Sequence, residues 1–65
     1  MRVHVNGEEV DVRASFLSDL LNELGFQGDW FATAVNNEFV ARDEHASKRI
    51  EENDRIEVLS PMQGG

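Results

Sequence analysis

Residues 2–13 read RVHVNGEEVDVR, and the pattern of this stretch decides the fold. Val3 and Val5 alternate with Arg2 and His4, and Val10 and Val12 alternate with Glu9 and Asp11. Successive side chains of a strand point to opposite faces, so each run has one apolar and one polar face. Between them stands Asn6-Gly7, the dipeptide best suited to the positive φ values of a two-residue hairpin turn. The spacing predicts strands over 2–6 and 9–13, paired as an antiparallel hairpin with its valines turned to a common core.

Downstream the period changes. In SFLSDLLNELG, residues 15–25, the apolar positions Phe16, Leu17, Leu20, Leu21 and Leu24 trace one stripe at helical spacing. Ser15 is placed to cap the helix, and Gly25 to end it in a left-handed conformation. A helix this short is marginal alone and must be held by packing its stripe on a sheet. Strand character returns in WFATAVN, over residues 31–36, and in EFVAR, over 38–42, with Asn36-Asn37 as the turn. Trp30-Phe31 reads as a lid on a small core. The polar stretch DEHASKRIEEND admits one helical turn anchored by Ile50. RIEVLS, residues 55–60, is the last strand, with Ile56 and Val58 on one face and Glu57 and Leu59 on the other. Pro61 ends the ladder because it has no N–H to donate.

The order β-β-α-β-β-β, with one helix over one face of a mixed sheet of about five strands, is an α+β arrangement. The helix supplies the crossover that lets the first and last strands pair in parallel at the centre. This is the order of the ubiquitin-like β-grasp. The domain is expected to span residues 1–60, with residues 61–65 a flexible tail.

Composition narrows the function. Sixty-five residues make one small domain, near the lower limit for a core without staples. Cysteine is absent, which rules out disulfides, thiolate ligands and a thiol nucleophile. Thirteen acidic residues against six basic leave a net charge of −7. That charge repels phosphate backbones and anionic membranes and suits a partner with a basic face. No nucleic-acid or membrane partner is expected. The opening MRVHVNGEEV lacks the apolar run of a signal peptide, so a cytoplasmic protein, monomeric when free, is the expectation.

No active site emerges from the side chains. His4 and His45 have no metal-ligand spacing and read as surface residues. The serines lack a nucleophile-elbow context, and no glycine-rich loop is set to cradle phosphate. The pairs Glu8-Glu9 and Glu51-Glu52 read as solvated surface. No metal site and no bound cofactor are expected.

What remains is SPMQGG, residues 60–65. At average glycine usage about one chain in two hundred would end in Gly-Gly by accident, so the dipeptide needs support from elsewhere. Residues 61–65 extend to roughly 16 Å, at about 3.3 Å per residue. A carboxylate on two residues without Cβ can pass through a tunnel that any side chain would block. A free carboxylate is a poor acyl donor, but as a mixed anhydride with AMP it becomes one that a sulfur nucleophile can attack. The tail then serves as the substrate of another protein's enzyme.

Three blocks, VHVNGEEV, AVNNEFVARDEHA and NDRIEVLSPMQGG, resemble the thiamine-biosynthesis sulfur carrier (ThiS) family, in order and over essentially the whole chain. The resemblance implies that the Gly65 carboxylate is adenylated by an E1-like, ThiF-like enzyme that uses ATP. A persulfide donor then converts it to a thiocarboxylate, and a ThiG-like thiazole synthase takes the sulfur for the thiazole ring. Gly64 gives the tail access to these enzymes' active sites. Leu59, Met62 and Gln63 are the candidate partner contacts, with Leu59 equally readable as core. Two positions depart from the family pattern. Ala41 stands where proline is usual, and Asn53 where glycine is usual before the residue matched by Asp54. Asparagine tolerates the left-handed conformation, so the turn is expected to survive.

Other readings stay open. The MoaD-like small subunit of molybdopterin synthase shares the fold and the Gly-Gly end, although its chains usually run longer. A ubiquitin-like modifier would be joined through Gly65 to lysines of target proteins. A plain interaction module would carry the Gly-Gly incidentally.

Overall fold

The computed structural model describes residues 1–26 and 31–59. Five strands, one helix and one 3-10 turn follow the chain: β1 (Arg2–Val5), β2 (Glu8–Asp11), α1 (Leu17–Glu23), β3 (Ala32–Val35), β4 (Glu38–Val40), the 3-10 turn (Arg42–Glu44) and β5 (Arg55–Leu59). The strands form one mixed sheet in the order β2-β1-β5-β3-β4. This is the small ubiquitin-like arrangement expected from the chain order.

Both hairpins close on two-residue turns with positive φ. Asn6 and Gly7 lie at 51° and 86°, and Asn36 and Asn37 at 53° and 71°. Such turns match the right-handed twist of the flanking strands. They also set the register, pairing Val5 with Glu8 and Val35 with Glu38. At the centre β1 and β5 run parallel, with His4 beside Arg55 and Val5 beside Ile56. On its other side β5 is antiparallel to β3, with Val35 beside Ile56 and Ala32 beside Leu59.

Alternation turns Val3, Val5, Thr33, Val35, Ile56 and Val58 to the inner face, all buried. Leu17, Leu20 and Leu21 of α1 join them in one cluster, to which Ile50 also belongs. A fully buried leucine or valine contributes about 1.5–3 kcal/mol relative to its exposed state, so each of these side chains matters to so small a domain.

The helix begins one residue later than its sequence implies. Phe16, not Ser15, occupies the N-cap, and no side-chain oxygen caps the helix. Backbone carbonyls from the polar 43–54 segment do this instead. Leu17 N–H donates to Lys48 O at 2.8 Å and Ser18 N–H to His45 O at 3.0 Å. Ser15 uses its own carbonyl to accept Ile50 N–H at 2.8 Å. At the other end Gly25 has φ 92°. Its N–H donates to Asn22 O, and Phe26 N–H reaches back to Leu21 O, which together make a Schellman ending.

Several boundaries shift. The strand expected over 9–13 ends at Asp11, and Val12 is buried beyond it. Those expected over 31–36 and 38–42 shorten to β3 and β4. The helical turn lies at Arg42–Glu44, while Ile50 sits outside it, beside the Phe16–Arg49 bridge. His45, expected on the surface, is buried at 7% exposure. Its ring stacks on Phe31 at 6.5 Å, and its carbonyl is committed to the helix. Asn53 adopts φ 71°, the left-handed conformation expected of it. Trp30, Ser60, Pro61 and the tail lie outside the described residues, so the lid and the division near residue 60 do too.

Candidate functional site

The parity that buries Ile56 and Val58 turns Leu59 outward, and the side chain is 60% exposed. Of the two readings open to Leu59, core is thereby excluded. Register places Ala32 of β3 beside it. Ala34 follows on the same face, paired with Glu57 on one side and Phe39 on the other. Phe39 is 71% exposed, on β4 at the edge of the sheet. Two alanines therefore floor a shallow apolar strip that Phe39 and Leu59 bound on the outer face.

A contiguous exposed apolar patch marks a candidate contact surface, unlike apolar side chains scattered singly. The rest of the outer face differs in chemistry. Across β2, β1 and β5 it presents Glu9, Arg2, His4, Arg55 and Glu57. Arg2 and Glu9 approach to 3.3 Å as an exposed pair. An apolar strip beside an ionic field provides contact area on one side and orientation on the other.

Phe39 was missed in the sequence reading, although a signal was present. A two-residue turn at Asn36-Asn37 puts Val35 and Glu38 on the same face, so Phe39 must point away from the core.

The expected tail contacts Met62 and Gln63, and the expected reactive residues Gly64 and Gly65, lie outside the described residues. Leu59 is the last described position before them. It joins the exposed strip to the segment that ends in Gly64 and Gly65.

Among the described residues, the hollow beside β4 assembles no reaction centre. A groove of about 300 Å³ beside β4 is lined by Glu38, Phe39, Val40, Glu44, Ser47 and Lys48. Its one hydroxyl, Ser47 Oγ, donates to Glu44 O within a turn, at 3.3 Å. Among the described residues, no group of three acidic or histidine side chains is placed to hold a metal ion. No helix among them is long and apolar enough to cross a membrane.

Comparison with known proteins matches this arrangement. The chain is similar to the crystal structure of the thiamine biosynthesis protein ThiS from Geobacter metallireducens, with a TM-score of 0.84 and 26% identity over the whole of both chains. It is also similar to the solution structure of a thiamine biosynthesis protein from the same organism. There the TM-score is 0.79 and the identity 25%, over all of this chain and 88% of that one. A protein named thiazole synthase from Magnetococcus marinus is 35% identical over 66 residues, which cover all of this chain and 20% of that protein. The chain thus spans about a fifth of the length of that curated relative. The ThiS family model matches residues 3–65, from the first strand through both terminal glycines, and the chain belongs to the ThiS family.

Proposed function

We propose that this chain is a sulfur carrier for thiamine biosynthesis, a protein substrate rather than an enzyme, with Gly65 as the residue that carries the sulfur. The observation that carries the reading is the span of the family match, residues 3–65, which includes Gly64 and Gly65. An E1-like enzyme docks on the outer face at Leu59 and Phe39, with Met62 and Gln63 as further contacts. The net charge of −7 favours a basic partner surface and speeds the encounter.

The chemistry follows from the carboxylate. An oxygen of Gly65 attacks the α-phosphorus of ATP and pyrophosphate leaves, which gives an acyl-adenylate. The terminal sulfur of a persulfide then attacks the carbonyl carbon and AMP leaves. Reductive cleavage of the resulting S–S bond by a thiol leaves the thiocarboxylate on Gly65 and the donor as a disulfide. The absence of cysteine in this chain keeps any internal thiol from intercepting the acyl-adenylate. ATP belongs to the activating enzyme, and this chain contributes no cofactor of its own. That a protein named thiazole synthase contains a segment like this chain supports thiazole synthase as the sulfur acceptor. The proposed setting is cytoplasmic.

Intact-mass measurement after incubation with ATP, an E1-like adenylating enzyme and a persulfide source tests the proposal. The expected product gains the mass difference of one oxygen replaced by sulfur, located at Gly65. Isopeptide-linked remnants of this chain on lysines of other proteins, with no thiocarboxylate, would replace the carrier by a modifier.

A further inference from the structure

Strand β5 is gripped at both ends by an asparagine from a hairpin turn. In a parallel ladder, an N–H given to residue j−1 is followed by a bond from residue j+1 back to the same position. Asn6 N–H donates to Ile56 O at 2.9 Å, so the next rung calls for Val58 N–H to bond at residue 6. Asn6 has turned into the hairpin at φ 51°, and its side chain supplies the rung. Val58 N–H donates to Asn6 Oδ1 at 2.8 Å across 52 positions of sequence. At the opposite end Asn36 Oδ1 accepts Arg55 N–H at 3.0 Å, and Asn36 Nδ2 donates to Asp54 Oδ1 at 3.0 Å.

Backbone pairing with β1 has ended at Val5 and Ile56, so the Asn6 amide is what meets β5 on that side at Val58. Val58 precedes Leu59, which bounds the docking strip and adjoins the segment that ends in Gly65. We propose that Asn6 is a positioning residue for sulfur loading. Its side chain fixes the end of β5, so that a docked partner meets Leu59 in one orientation. The inference rests on the carrier function proposed above. In-line attack is sensitive to displacements of about 1 Å, so loosening this rung acts on turnover more than on docking.

Asn6→Gly keeps a residue that accepts positive φ and removes the acceptor, whereas Asn6→Asp keeps both the conformation and an acceptor. Amide hydrogen exchange and steady-state adenylation by an E1-like enzyme, followed as pyrophosphate release, read the two consequences. In the wild-type protein the Val58 amide should exchange slowly, and fast exchange there overturns the inference whatever the variants do. Asn6→Gly should speed Val58 exchange about five- to tenfold, as expected for one lost hydrogen bond, with the Leu20 amide unchanged. It should lower kcat about tenfold with KM within about twofold, and Asn6→Asp should restore kcat to within about twofold of wild type. Wild-type kcat in Asn6→Gly, or a change confined to KM, overturns the positioning role. A wild-type protein that is not adenylated at all overturns the carrier reading instead, which the exchange data alone would not do.

Discussion

The inner face of the sheet turns Val3, Val5, Val35, Ile56 and Val58 to the helix, whereas the outer face of the same strands carries two unlike fields. One is ionic, across β2, β1 and β5, and the other is apolar, from Leu59 through Ala32 and Ala34 to Phe39. Strand β5 serves both faces at once. Ile56 and Val58 hold the fold, and Leu59, one residue further, belongs to the surface. The two-residue period lets five residues divide stability from recognition, and the two functions should therefore respond to different substitutions.

The sharpest way to break the division is through the helix. Leu20→Ala or Leu21→Ala should destabilise by about 2–5 kcal/mol, a large share of what a domain of this size possesses. Both side chains are buried, at 0% and 3% exposure. Thermal melts that leave either variant unchanged would remove the inner face as the seat of stability.

The outer face should give the opposite result. Phe39→Ala and Leu59→Ala should each weaken binding to the activating enzyme about tenfold while moving stability by less than about 0.5 kcal/mol. Titration calorimetry beside a melt separates the two effects. A matched loss of stability would return these residues to structural duty.

Thr33 tests the inner face in the other direction. The residue is 1% exposed, and its buried hydroxyl has no hydrogen-bond partner among the described residues. Thr33→Val replaces it by a methyl group of the same shape and should stabilise by about 1 kcal/mol, raising Tm by about 4–8 °C. A lower Tm would show that the hydroxyl is satisfied after all.

The smallest effect belongs to Ala41. Its φ of −63° and ψ of 150° already suit proline. The pairs Val35–Glu38 and Thr33–Val40 alternate along the hairpin, which sets the Ala41 N–H pointing away from β3. Ala41→Pro should stabilise by about 0.4–1 kcal/mol, through the unfolded chain, without altering partner binding. Denaturant melts with an unchanged m-value are the check, and destabilisation would mean that this N–H is bonded.

How much of this was legible depends on whether the cause was local. Asn6-Gly7 and Asn36-Asn37 announce two-residue turns, and each fixes the parity of its strands, so the faces follow from the turns alone. The stripe from Phe16 to Leu24 and the glycine after it delimit the helix to within two residues. The segment around His45 was opaque because its role is met elsewhere in the chain. His45 and Lys48 cap the first turn of α1 through their carbonyls, from about thirty positions downstream, and no local pattern encodes that. The same contact explains why Ser15 does not cap the helix and why His45 is buried against Phe31. At the candidate site the outward turn of Leu59 was readable from the alternation of β5, but its exposure required the sheet order. The outward turn of Phe39 follows by the same parity from the Asn36-Asn37 turn.

The central claim is that the fold and the chemistry are separable, with stability on the inner face and sulfur loading at Gly64 and Gly65. Gly64→Ala examined by thermal melt and by ATP-dependent adenylation tests it most directly. The account predicts an unchanged Tm and a loss of turnover on the order of a hundredfold, because one methyl group displaces the carboxylate from in-line attack. Wild-type turnover by Gly64→Ala would contradict it.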